Sequence, residues 1–305
     1  MTTNLRRVHR TARTGSMAFA NTVNVGGHRT SSMRALLVAN GRLGLEPFLR
    51  GGWQALGWVA GETVINVSAV LATFMLAGRF AGVGSWTSTE LYFMLGFVLV
   101  ARGTANVFSG RNVLMISRKI GRGQLDHALL QPVPLWKALA AEGVSPFDLL
   151  VTLVIGVGAL GWAIGALPQT HHPLWFGELG LNLAASVCVI VAYQYMWGAL
   201  AFWSPRGAEE VNTASAAVTS LSGYPLDRAP RLVGHLLLTV VPVAYIGWVP
   251  SRGLLGVGTD SWYGVWRGPF AAVVLVAVTV VVFGKGLKRY GRYGSGRYSD
   301  FGHRR

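Results

Sequence analysis

The chain has 305 residues, 51% of them hydrophobic and only 13% charged, with a formal net charge of +15. A soluble domain carries about a quarter charged residues, so this balance excludes an ordinary globular enzyme built on one core and points to a chain made for lipid. The 40 glycines and 11 tryptophans agree, because glycine is frequent in membrane helices and tryptophan gathers at their ends.

In chain order, residues 1–31 are rich in Arg, Ser and Thr and contain no acid, which predicts a disordered basic tail. Residues 32–49 place Met33, Leu36, Leu37 and Leu43 among Arg34 and Arg42, the pattern of a helix lying along a membrane surface. Apolar runs long enough to cross a bilayer follow at 53–77, 90–110, 146–167, 176–203 and 269–287. Between the last two lies a broken region. Its first part, 208–223, predicts a short fifth pass, and its second, 232–249, a re-entrant or interfacial element interrupted by Pro242 and Pro250. The converse assignment, with 232–249 spanning and 208–223 at the surface, satisfies the same pattern. Residues 288–305 are a low-complexity Arg/Tyr/Gly ending suited to anionic headgroups.

The fold class is therefore all-α and polytopic, with six transmembrane helices, an N-terminal interfacial helix and a re-entrant element between the fifth and sixth spans. The domain divisions are 1–31 (tail), 32–287 (membrane domain) and 288–305 (tail). Of the 27 Lys and Arg residues, Arg79, Arg228, Arg231, Arg252 and Arg267 fall on one side, Arg102 falls within a span, and the rest lie on the other side. By the positive-inside bias both termini and the loop after the second span are cytoplasmic, in a multi-pass protein of the plasma membrane. The bias also accounts for the net charge without nucleic-acid binding.

Several motifs have plain structural readings. Gly156, Gly158 and Gly161 match a dinucleotide-binding glycine pattern, but they sit mid-span with no preceding strand; small residues there let helices approach closely, and Gly161 with Gly165 forms a GxxxG pair. No phosphate-binding loop, metal-ligand cluster or nucleophile–base–acid set is present in the sequence, so no catalysis and no bound cofactor are expected. Cys188 is the single cysteine. Glu62 and Arg102 lie about 12–14 Å inside adjacent antiparallel spans, where charges pair or face a cavity; they form a candidate ion pair. Asn212, Ser215, Thr219 and Ser222 give the fifth segment a hydroxylated face, suited either to helix–helix hydrogen bonding or to a translocation path.

The stretch IGRGQLDHALLQPVP, residues 120–134, separates two spans. Leu125, Ala128 and Leu129 share one helical face, Pro132 and Pro134 forbid continuation, and a peg this small gains little from its own chain, so a partner's groove is its expected home. The longer stretch ISRKIGRGQLDHALLQPVP resembles the I-x-x-G-x-L-D-x-x-L-x-x-P-x-P segment of ABC-2-type transporter permeases, in the branch of small six-span subunits. Tyr224-Pro-Leu-Asp227, then Val241 to Ile246 and Val249-Pro250, resembles a second block of that branch. The resemblance covers about Arg34 to Leu287, and it implies a permease subunit of an ATP-driven exporter. Arg122, Gly123, Leu125, Asp126, Leu129 and Pro132 would then form a cytoplasmic coupling element. Tyr224, Pro225 and Asp227 would form an outer turn. Partners would be ABC ATPase subunits holding ATP and Mg, a second permease (identical or homologous), and membrane lipids. An ATP-independent channel or ion-coupled secondary transporter is the competing expectation.

Overall fold

The computed structural model describes residues 85–109, 116–122, 124–130, 133–141, 146–167, 172–227, 229–257 and 264–293, with isolated positions between 52 and 75. Among the described residues the elements are all helices: α1 (Ser88–Ser109), α2 (Ile116–Gly121), α3 (Gln124–Leu129), α4 (Leu135–Ala141), α5 (Pro146–Ala166), α6 (Pro173–Ala199), α7 (Pro205–Thr219), α8 (Arg231–Thr239), α9 (Trp248–Leu255) and α10 (Gly264–Tyr293). Three 3-10 turns, Leu200–Phe202, Ser220–Gly223 and Pro242–Tyr245, join them. The isolated positions between 53 and 75 are helical where the sequence predicts the first span. The 1–31 and 32–49 expectations, and Glu62, lie outside the described residues.

Local chemistry sets the helix ends. Thr87 and Glu90 make a reciprocal cap on α1: the Thr87 amide donates to Glu90 Oε2 at 2.7 Å, and the Glu90 amide donates to Thr87 Oγ1 at 3.4 Å. Prolines open α5, α6 and α7, where their missing N–H has no intrahelical partner to lose. Pro250 does not interrupt a helix as its sequence position predicts; it sits in the first turn of α9, again where the missing donor is cheap. Gly256 closes α9 at φ +65°, a left-handed cap that any Cβ would strain. The last span starts at Gly264 rather than at Pro269, because one lost bond near a helix start is tolerated.

Helix α1 packs between α5 and α6, and α10 runs along α6. The α1–α5 seam is a backbone-to-backbone approach. A Cβ on Gly96 would fall 2.5 Å from the Leu160 nitrogen, and one on Gly156 would fall 2.8 Å from the Val100 nitrogen. Gly158, Gly161 and Gly165 have nothing within 4 Å of such an atom, so the GxxxG pair read from the sequence does not serve this seam; Gly156 does. A helix turns its side chains through 100° per residue, and Gly156 and Leu160 share the α1 face, whereas the GxxxG pair points away from it.

Helices Pro173–Phe202 and Gly264–Arg292 are long and apolar enough to cross a bilayer, with mean hydropathies of 1.8 and 2.4. The second is only 22% buried across its most apolar stretch. A helix both apolar and outward-facing is stable in lipid rather than in water.

The bundle has two distinct poles. At one, Trp86, Phe93, Trp175, Leu179 and Leu254 form a core, and the Trp175 indole donates to the Leu254 carbonyl at 2.9 Å. At the other, Ile116, Leu125, Leu139, Phe202 and Phe283 form a second core. The 227–257 segment begins and ends at the first pole, where Asp227 meets Arg252. Between those points it dips to the middle: Ser186 Oγ donates to the Tyr245 carbonyl at 3.3 Å, and Ile246 is fully buried among Val98, Ala185 and Ala272.

The seam yields a paired prediction. Gly156→Ala should lower stability by about 1–3 kcal/mol through overpacking, while Gly158→Ala, in open space on the same helix, should be neutral or stabilising by up to about 1 kcal/mol. Thermal unfolding of the two purified variants checks the contrast.

Candidate coupling site

The segment α2–α3–α4 is a knot of short helices at the second pole. Helix α3 is too short to persist alone, so its stability comes from what it docks on. Leu125 is fully buried and Ala128 is 8% exposed, both packed with Ile116, Ile120, Leu135 and Leu139 of the flanking helices and with Phe202, Phe283 and Tyr290. The sequence expectation that this peg gains little from its own chain is therefore corrected: α2 and α4 flank it and, with α10, supply the groove. Leu129, expected on the same face, is instead 40% exposed, beside Leu130 at 83%.

Polar contacts fix the knot to the long helices. The Tyr290 hydroxyl of α10 donates to Asp126 Oδ1 at 2.8 Å. The Tyr195 hydroxyl of α6 donates to the Trp136 carbonyl at 2.8 Å. Arg118 Nε donates to Glu209 Oε1 of α7 at 2.9 Å, with both side chains about half exposed, so this pair adds little energy. Burial holds the Lys119 ammonium below the usual lysine range. Asp126 thus binds its own chain, while Arg122, Gln124, His127, Leu129 and Leu130 face outward. Gly123 and Pro132 lie outside the described residues.

The other predicted residues are placed as follows. Arg102 is exposed on α1; its expected partner Glu62 is not described. Asn212 and Ser215 of α7 and Ser222 of the following 3-10 turn are buried, and Thr219 is half-buried. Ser215 Oγ donates to the Asn212 carbonyl at 2.9 Å and Thr219 Oγ1 to the Ser215 carbonyl at 2.7 Å. Both hydroxyls thus bond carbonyls of their own helix.

At the first pole Tyr224 is 48% exposed and Pro225 half-buried. Asp227 is the hub of this turn: its Oδ2 accepts from the Trp86 indole at 2.5 Å and the Trp248 indole at 2.9 Å. Its Oδ1 lies 3.5 Å from the Arg252 guanidinium, with side-chain exposures of 19% for Asp227 and 23% for Arg252. Arg252 also donates to the Val257 carbonyl at 3.0 Å and lies over the Trp248 ring. Trp86, Trp248, Arg252 and Tyr290 are the contributors sequence reasoning missed; Trp86 and Tyr290 reach carboxylates 141 and 164 residues away. Among the described residues no group of His, Cys, Asp or Glu is arranged to hold a metal ion.

Removing the Tyr290 hydroxyl should unseat the peg without disturbing its apolar contacts. Tyr290→Phe should cost about 1.5–3 kcal/mol, the range for a hydrogen bond to a charged group, and Leu125→Ala about 2–5 kcal/mol. Hydrogen exchange over 116–130 should accelerate in both, while exchange in α5 stays unchanged.

No curated protein and no solved structure matches the chain. The family profile described as ABC-2 family transporter protein matches residues 63–294, a stretch that takes in the α1–α5 seam, the α2–α4 knot, the Asp227 hub and α10. The chain belongs to the ABC-2 family transporter proteins, as an integral membrane permease component of an ABC transporter.

Proposed function

We propose that this chain is the pore-forming permease of an ATP-driven exporter, with ATP and Mg bound by separate ATPase subunits. It pairs with a second permease, identical or homologous, and the α2–α4 knot is the surface on which an ATPase acts. Both termini and the knot face the cytoplasm of a cell bounded by the plasma membrane.

In this reading the chain crosses six times. Helix α7 with its 3-10 turn is the fifth pass: 15 and 4 residues give about 30 Å at the rises of the two helix types, close to the thickness of a hydrocarbon core. The 227–257 segment is the re-entrant element, since it leaves and regains one pole. The basic side chains Arg118, Lys119, Arg122, Lys137, Lys285, Lys288 and Arg289 cluster in sequence around the opposite pole, as the positive-inside bias requires of a cytoplasmic end.

One observation carries the reading. The peg is tied inward through Leu125 and Asp126, yet presents Leu129 and Leu130 outward beside Arg122 and His127. Two exposed leucines on a rigid basic knob are costly in water and suited to a groove on a soluble partner. A peg anchored to α10 by an ion-strength hydrogen bond transmits a push to a span that runs the length of the bundle. Asp126 therefore anchors the peg rather than touching the ATPase.

The double variant Leu129→Ala/Leu130→Ala tests this. It should reduce co-purification of an ATPase with intact phosphate loops by about tenfold or more, the loss expected for two small hot-spot contacts, with unfolding temperature unchanged. ATP-dependent transport should fall in parallel. Undiminished co-purification and transport would overturn the coupling role, and transport surviving removal of every ATPase subunit would favour a channel or ion-coupled carrier.

A further inference from the structure

A cavity of about 780 Å³ lies between α4, α6 and α10, toward the coupling pole. Its volume is within the range of about 300–1,000 Å³ typical of ligand pockets. Its walls are apolar: Leu135 and Trp136 from α4, Val187 and Val191 from α6, Val276 and Val280 from α10. Two hydroxyl side chains line it, Tyr195 and Thr279, and both are already engaged. Tyr195 donates to the Trp136 carbonyl at 2.8 Å, and Thr279 donates to the Ala192 carbonyl at 3.1 Å. The interior therefore asks for hydrocarbon and has no hydroxyl proton left to offer.

The rim has the opposite character. On α10 the lining runs from Val276 to Leu287, and the next residue, Lys288, is exposed one turn beyond Gly284. From the facing wall, Lys137 Nζ lies 5.5 Å from the centre of the Trp136 ring, whose indole lines the cavity. Among the described residues Asp126 is engaged by Tyr290 and Glu209 by Arg118. An apolar slot between membrane helices ending in basic side chains fits an acyl chain carrying an anionic headgroup.

We propose that this slot is a binding site for an anionic phospholipid of the leaflet at the coupling pole. The acyl chain lies between α6 and α10, and the phosphate is held by Lys137 and Lys288. The lipid is a resident one: it backs α4 against the long helices and so supports the knot from the membrane side. The assignment needs only that α6 and α10 cross a bilayer, and it stands whether or not an ATPase binds the peg.

Cys188 lines the slot and is the single cysteine of the chain, so a small fluorescent maleimide reports from inside it. The labelled full-length chain is placed in phosphatidylcholine nanodiscs with a minor, equal fraction of either brominated phosphatidylglycerol or brominated phosphatidylcholine. Quenching by the phosphatidylglycerol should be several-fold stronger. Lys137→Gln/Lys288→Gln, two surface changes that leave the packing intact, should equalise the two lipids. Gly284 has open space around it, so Gly284→Leu should fill the slot and reduce quenching by both. Equal quenching by the two lipids in the unmodified chain means ordinary solvation by bulk lipid and overturns the site. Absence of quenching by either, with a bismaleimide joining the Cys188 residues of two copies of the unlabelled chain, means that a second copy covers the slot and overturns it equally.

Discussion

In a hydrocarbon solvent a polar group without an internal partner costs several kcal/mol, and this constraint orders the whole bundle. Three hydrogen bonds where α6 meets its neighbours pair a side-chain donor with a backbone carbonyl on another element: Trp175 with Leu254, Ser186 with Tyr245, Tyr195 with Trp136. Thr279 of α10 does the same toward Ala192 of α6. These bonds fix depth as well as proximity, because each ties one rung of α6 to one residue of a partner. The apolar contacts around them are permissive by comparison, since lipid satisfies an exposed valine as well as a neighbouring helix does.

The two poles use carboxylates in matching ways with different partners. Asp227 gathers two indoles and a guanidinium, which closes the ends of a segment that would otherwise leave its turns open. Asp126 takes a single phenol from α10, and its helix keeps Gln124, His127 and Leu129 exposed. The first arrangement is saturated and the second is not. That asymmetry is the physical difference between a pole that seals a fold and one that presents a surface.

Much of the helix inventory was legible because long apolar runs carry their own period. The reciprocal cap at Thr87 and Glu90 was also within reach, since a Thr followed three residues later by Glu announces a helix start. The peg was legible as an element but not in its orientation. A helix as short as Gln124–Leu129 can turn either edge of its apolar face inward, and the choice fell to Leu125 because Phe202, Phe283 and Tyr290, far along the chain, crowd that side. The glycine seam was half legible: the sequence showed small residues in α5, but which of them meet α1 depends on helix rotation. Asp227 was singled out in an outer turn, yet its indole partners, Trp86 and Trp248, looked like ordinary membrane-end tryptophans. Nothing local distinguishes a tryptophan at a membrane boundary from one donating to a carboxylate.

Helix α10, like α6, reaches both poles. Near its start, Gly264 lies against Gly253 of α9, where an added Cβ on Gly253 would fall 2.7 Å from the Gly264 carbonyl carbon; one turn later, a Cβ on Gly268 would fall 2.8 Å from Asn182 Oδ1. Near its end, a Cβ on Gly286 would fall 2.5 Å from the Phe202 ring, one turn before Tyr290 reaches Asp126. Contacts this close leave no slack: α10 cannot slide past α9 or past the Leu200–Phe202 turn without moving them. Its central stretch, by contrast, faces outward with Val273, Val274, Val280 and Val281 exposed. With Thr279 also bonded to the Ala192 carbonyl at mid-length, α10 is held at both ends and at its middle, one continuous helix between the Asp126 contact and α9.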